Sequence, residues 1–277
     1  MRIAIQGIAG AFHEAAAQLY FQDQRIEIVP CLTFPELAAA VATGLADKGI
    51  MAVENTIAGT IQHNLDLIRE QRLWISGEVI MRIRQHLGGV PGSSLQGIRK
   101  VYSHYMALNQ CRPFFDAYPE VELIEAEDTA LSIRNVAEAG CREQAAIGSA
   151  LAIAQNGLIV LGEGLEGDKE NYTRFLVLDR QPQQVASCNK ATLSLVLPPS
   201  PEVFTKAMTL LQERRAHVSK IESVAIPGRP WHYRYYLDLL YEEQEQLQAV
   251  LSGLESLAES VGLLGKYTAY TCQDHQR

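Results

Sequence analysis

Three short stretches of this chain place backbone amides or polar side chains where they could do chemistry. Gly7-Ile8-Ala9-Gly10 follows an apolar run and precedes a helical pattern, and free amides at a helix start attract carboxylates and phosphates. The spacing is not Gly-x-Gly-x-x-Gly and no Gly-Lys-Ser/Thr follows. A tight turn that needs two glycines therefore fits the same residues equally well. Glu54, Asn55 and Thr56 end the apolar run 49–53, with Gly59 just beyond. Ligands of open α/β sheets bind at the carboxyl ends of strands, which makes all three candidates for ligand contact. The alternative is a helix cap made by Thr56 or Thr60. Asn171-Tyr172-Thr173-Arg174-Phe175 follows a loop carrying Gly162, Gly164 and Gly167. Taken alone, Thr-Arg-Phe is an ordinary strand start, because β-branched and aromatic residues suit strands.

The remaining reactive side chains exclude more than they suggest. Cys31, Cys111, Cys141, Cys188 and Cys272 are odd in number and never form Cys-x-x-Cys, and the seven histidines lack metal-ligand spacing. Neither a disulfide framework nor a metal site is expected. Net charge is −8 with no basic run, which argues against nucleic acid as a partner. An anionic substrate must then be held by local cations and amides against a repelling global field. No apolar stretch approaches the roughly 18 residues of a membrane span, and no signal-peptide core precedes a cleavage site. A cytoplasmic protein without membrane contact is the expectation.

These residues need elements to position them. Strands are expected at 2–6, 25–30 and 49–53, with helices at 11–21, 33–42 and 61–70. Thr33 and Glu36 have capping-box spacing at the second helix. Such alternation implies a doubly wound α/β sheet. Residues 74–90 read as long and mostly extended, carrying the chain into a second lobe. That lobe has strands at 99–103, 121–125 and 145–148 and helices at 108–116 and 129–139. A strand at 173–178 returns to the first lobe, and two crossovers leave a cleft between lobes for a small ligand. Residues 181–190 are polar, contain Pro182 and read as a linker. Beyond it come a strand at 192–197, a helix at 202–214, a strand at 218–225 and a turn at 227–230. A strand at 232–240, a helix at 242–260 and a strand at 263–271 complete a ferredoxin-like βαββαβ order.

Taken in order, the segments resemble the prephenate dehydratase family. They are Gln6-Gly7 to Ala17, Val53-Glu54-Asn55-Thr56-Ile57-Ala58-Gly59 running into Asp66-Leu67, and Ser103-His104-Tyr105-Met106-Ala107-Leu108-Asn109-Gln110-Cys111. Thr129-Ala130, Ala145-Ala146-Ile147-Gly148 and Asn171 to Phe175 complete the set, so the likeness spans roughly residues 1–180. There are departures: Ala11 stands where the family has Ser or Thr, with His13 nearby as a substitute hydrogen-bonding group. Tyr105 replaces a proline after His104, and Asp128 replaces a common serine.

The resemblance implies a two-lobed catalytic domain like the type II periplasmic binding proteins, over 1–182. Lobe 1 would take about 1–75 and 173–182, and lobe 2 about 76–172. A ferredoxin-like ACT domain would occupy 190–277, and the chain would start at the dehydratase strand with no mutase domain before it. The implied reaction turns prephenate into phenylpyruvate without a cofactor, for phenylalanine biosynthesis, with Thr173 at the leaving hydroxyl. Glu54, Asn55, Thr56, His104, Gln110, Thr129, Asn171, Arg174 and Phe175 would bind substrate. Within this set His104 fits an acid or a helix cap, and Arg174 either pairs with the pyruvyl carboxylate or points outward. Glu222 and Ser223 keep the start of the family's regulatory motif, where an amino-acid effector would bind. Val224-Ala225 replace its second half, Glu202 a glycine and His217 an asparagine. A homodimer or homotetramer is expected. Arogenate dehydratase and a non-catalytic two-lobed sensor are the rival readings; Thr173-Arg174-Phe175 weighs against the sensor.

Overall fold

A computed structural model describes residues 1–22, 24–61, 63–183 and 187–270. The linker residues 184–186, Thr271 of the expected last strand, and Cys272 lie outside them. The chain begins β1 (Arg2–Gln6), α1 (Phe12–Tyr20), β2 (Glu27–Cys31), α2 (Phe34–Thr43), β3 (Lys48–Asn55), β4 (Gly59–Thr60), α3 (Asn64–Glu70) and β5 (Trp74–Arg82). Then come β6 (His86–Gly89), β7 (Lys100–His104), α4 (Tyr105–Phe115), β8 (Glu122–Ala126), α5 (Thr129–Ala139) and β9 (Gln144–Gly148). Next are α6 (Ala150–Gln155), β10 (Ile159–Gly162) and β11 (Tyr172–Asp179). The last stretch is β12 (Lys190–Val196), α7 (Pro201–Glu213), β13 (His217–Ala225), β14 (Tyr233–Leu240), α8 (Gln244–Glu255) and β15 (Ser260–Tyr267).

The chain packs as two compact units, residues 1–64 with 79–175, and residues 65–78 with the chain from 176 on. The first unit holds two sheets. In one, β1 runs parallel between β2 and β3, and β11 and β5 continue beyond β3. The other has the order β10-β6-β9-β7-β8, parallel where β7 meets β8 and β9 and antiparallel where β6 meets β9 and β10. The expected extended stretch 74–90 is thus two strands, β5 and β6, placed in different sheets. The core of the second sheet gathers Leu87, Val101, Leu108, Phe115 and Ile147. Each such side chain contributes about 1.5–3 kcal/mol when fully buried. Helix α2 keeps its predicted start: Thr33 Oγ1 accepts from Glu36 N, while the Glu36 carboxylate reaches back to Leu32 N.

The second unit has the β12-α7-β13-β14-α8-β15 order, with the antiparallel sheet sequence β13-β14-β12-β15. This is the expected βαββαβ topology. Its core joins Leu193, Leu195, Leu237 and Leu239 of the sheet to Ala207, Leu211, Val250 and Leu254 of the two helices. Strand β15 pairs in parallel with β5 at Gly265 and Ile75. A β-carbon at Gly265 would stand 2.2 Å from the Ile75 carbonyl oxygen, so only glycine fits. Helix α8 ends at Glu255, short of the expected residue 260, because Glu259 N already bonds Val196 O where β15 joins β12.

Candidate active site

The first unit holds an open cavity of about 290 Å3. Its lining draws on the ends of both sheets: Gln6, Asn55, Thr173 and Phe175 from β1, β3 and β11, and His104, Gln110 and Thr129 from β7, α4 and α5.

Strand β3 delivers Asn55. After its apolar residues the chain folds back through Gly59, whose φ of +80° suits glycine. Asn55 pairs with Gly59 across this hairpin. Asn55 Oδ1 accepts from Ile57 N at 3.0 Å and Ala58 N at 2.8 Å, pinning the side chain inside the turn. Asn55 Nδ2 then donates to Asn171 Oδ1 at 2.8 Å, Tyr172 O at 3.1 Å and Thr173 Oγ1 at 2.9 Å. Thr173 is 8% exposed and already accepts this bond. Its own proton remains to be donated into the cavity.

Strand alternation sorts the rest of β11. Thr173 and Phe175 line the cavity, while Arg174 does not and instead stands 3.9 Å from Glu54. Glu54 and Thr56 are likewise off the lining. Thr56 Oγ1 donates to Glu170 O at 2.5 Å and accepts from Tyr172 N at 2.9 Å, clamping the loop before β11 to the end of β3. Asn171 is fully buried behind the wall, donating to Gln110 Oε1 at 3.1 Å. Gln110 Oε1 also accepts from Gln85 Nε2 at 3.2 Å.

Two histidines face the cavity in different states. His104 is the N-cap of α4, its Nδ1 accepting from Met106 N at 3.2 Å, which leaves the proton on Nε2. The capping half of the sequence reading is therefore realised, with the other ring nitrogen still available. His13 is buried against Phe34 and meets Phe175 edge-on at 5.1 Å. Ala52 N donates to its Nε2, and burial lowers its pKa to about 4. Sequence reading brought His13 in only as a substitute for the residue at Ala11 and missed Gln85 altogether. Gln85 sits in the break between β5 and β6, where periodicity gives no signal.

The glycine loop is a tight turn. Gly7 and Gly10 have φ of +98° and +88°, and a β-carbon on Gly10 would stand 2.6 Å from Ala152. Three of its amides are engaged within the protein: Gly7 N with Cys31 O, Ala11 N with Ile8 O, and Gly10 N with Glu14 Oε2. Asp128 caps α5 through Leu131 N and, like Glu127, lines the cavity. Glu222 and Ser223 lie on β13 in the other unit, with Glu222 3.8 Å from Lys220.

A family model described as prephenate dehydratase matches residues 3–183. The arogenate dehydratase/prephenate dehydratase 1 of Arabidopsis thaliana chloroplasts is 34% identical over 284 residues, covering 96% of this chain and 72% of that one. Among solved structures, the prephenate dehydratase of Arthrobacter aurescens in complex with L-Phe aligns with a TM-score of 0.85 at 26% identity, over 97% of this chain and 90% of that one. A protein described as GqqA, a novel type of quorum quenching acylase, aligns with a TM-score of 0.89 at 28% identity, over 99% and 100%.

Proposed function

The chain belongs to the prephenate dehydratase family, and we propose that it is a lyase converting prephenate to phenylpyruvate, water and carbon dioxide. The supporting observation is the Thr173 hydroxyl, buried on the cavity wall and held as an acceptor by Asn55. In this reaction the bond from ring carbon C1 to its carboxylate breaks. Its electron pair enters the ring as the C4–O bond opens, and the departing oxygen takes up one proton. Aromatisation drives the step, so a weak donor aimed at the charge developing on oxygen suffices. Thr173 takes that role, with Gln110, His104 and Thr129 orienting the substrate and Phe175 walling the ring. Asn55, Asn171 and Thr56 position β11, and Glu54 neutralises Arg174 beside it. Keeping a cation away from the ring carboxylate leaves that group free to depart.

A second substrate has one observation in its favour. The cavity lining includes Glu127 and Asp128 and, among the described residues, no Lys or Arg, which suits an ammonium-bearing substrate such as arogenate better than a dianion. An acylase would need a base at the Thr173 hydroxyl, and Asn55 offers it a donor. The test is turnover of prephenate and arogenate side by side, following phenylpyruvate absorbance and phenylalanine release. Failure to convert either one sinks the reading.

We propose a catalytic domain over 1–182, two-lobed like the type II periplasmic binding proteins. The βαββαβ segment, taken as 190–277, serves as an ACT-type module with an amino-acid effector near Glu222 and Ser223. Strand β13 is the outer strand of its sheet, with Ile221 46% exposed, and open edges of this kind favour pairing with a second copy. Light scattering should give a dimer or tetramer mass, and a monomer at micromolar concentration would refute assembly.

A further inference from the structure

The amide side chains behind Thr173 form a chain with a fixed polarity. An amide's oxygen and nitrogen are told apart by what they face. Asn55 cannot turn over, because its oxygen meets the two backbone N–H groups of Ile57 and Ala58. Its nitrogen therefore faces Asn171 Oδ1, which turns Asn171 Nδ2 toward Gln110 Oε1. Gln110 Oε1 must then receive Gln85 Nε2 as well. This leaves Gln85 Oε1 at the end of the chain as a buried acceptor with no partner among the described residues. Gln85 is 3% exposed, lines the cavity, and is locked through its backbone: its N–H donates to Glu166 Oε2 and its carbonyl accepts from Leu165 N. A buried acceptor of this kind in a native fold is met by a donor from outside the chain, a water or a group of the ligand.

We propose that Gln85 Oε1 is the acceptor for the hydroxyl group that leaves the substrate, so that Gln85 orients the leaving oxygen toward Thr173. This assignment rests on the dehydratase reading above. A hydroxyl both donates and accepts. With its proton directed to Gln85, its lone pairs face the Thr173 hydroxyl, which Asn55 holds as a donor toward the cavity. The polarity set by two backbone amides at the end of β3 thus reaches both groups that meet the departing oxygen.

Two variants test this. Gln85→Met keeps volume and removes the acceptor; kcat on the preferred substrate should fall about 10-fold, the effect of one neutral hydrogen bond, with KM changing less. Gln85→Glu keeps the acceptor but can donate to Gln110 Oε1 only when protonated, and Gln110 cannot turn over without setting Asn171 against Asn55. Its carboxyl pKa should be raised. Activity and melting temperature should stay near wild type at about pH 5 and fall relative to it as pH rises toward 8. Wild-type kcat in Gln85→Met would overturn the contact with the leaving group. A Gln85→Glu melting temperature parallel to wild type across that range would overturn the fixed polarity. A wild type inactive on both substrates would remove the dehydratase reading and the leaving-hydroxyl assignment together, while the melting series would still decide the polarity.

Discussion

Thr173 and His13 are both buried and line the cavity, and a substitution tests each. Removing the hydroxyl in Thr173→Ala should lower kcat by about 10²–10⁴-fold, the span for a positioned proton donor, with a smaller change in KM. Thr173→Ser keeps the hydroxyl and should retain part of the rate. An alanine variant within about threefold of wild type would remove Thr173 from this role. His13 gives a pH prediction. Its folded pKa of about 4 lies below the ordinary 6.5, so the unfolded chain binds the extra proton as pH drops between these values. Stability should therefore be unaffected by His13 above about pH 7 and decline as pH falls from 6.5 toward 4, by about 2 kcal/mol at pH 5. His13→Gln keeps an acceptor for Ala52 N and cannot titrate. Urea denaturation at pH 7 and pH 5 should show a smaller loss in the variant, and equal losses would contradict the burial argument.

Among the elements, the buried ion pair linking β5 to β12 is the most exacting contact. Lys190 Nζ donates to Glu78 Oε1 at 3.0 Å and Oε2 at 2.9 Å, both residues are under 10% exposed, and Glu78 also accepts from Tyr270 N. Lys190→Met removes the cation that meets both Glu78 oxygens and should destabilise by about 3–5 kcal/mol. Adding Glu78→Gln to that variant should recover much of the loss, since a neutral amide needs no cation. Additive losses in a double-mutant cycle would show that the two groups do not act as a pair. This pair was not legible in the sequence, because Glu78 and Lys190 are 112 residues apart and nothing local marks them as partners. What was legible followed local periodicity and punctuation. Apolar runs marked β1, β3 and β11, Thr33 marked the start of α2, and β12 to β15 came out in the right order. Helix α6 and strand β10 were missed, being six and four residues long, too short to establish a period, although Ser149 is an N-cap signal. At the site, Thr173, Asn55, Gln110, His104, Thr129 and Phe175 all line the cavity. Gln85 and His13 depend on which side chains two sheets turn toward each other, and a linear pattern does not encode that.

At the scale of the whole molecule, the effector role proposed for the βαββαβ segment makes a prediction about turnover. The Arthrobacter aurescens relative was solved with L-Phe, but this chain differs at the positions that the family resemblance marks for the effector. Glu202 is exposed in the first turn of α7, accepting from the Ser200 hydroxyl at 3.3 Å. His217 begins β13, and Val224 and Ala225 end it. A carboxylate beside the effector's own carboxylate should cost a few kcal/mol if both are desolvated, and much less if Glu202 stays exposed to solvent. An effector shifts activity only through its different affinity for two states, so a weakened pocket limits the shift available. Phenylalanine at tens of micromolar should therefore leave turnover unchanged. The check is a titration to millimolar concentration, following rate and melting temperature together. Strong inhibition at tens of micromolar would show that the pocket tolerates Glu202 and His217. A rise in melting temperature without inhibition would mean that phenylalanine binds and the coupling to the cavity is lost. No change in either would show that phenylalanine is not an effector of this chain.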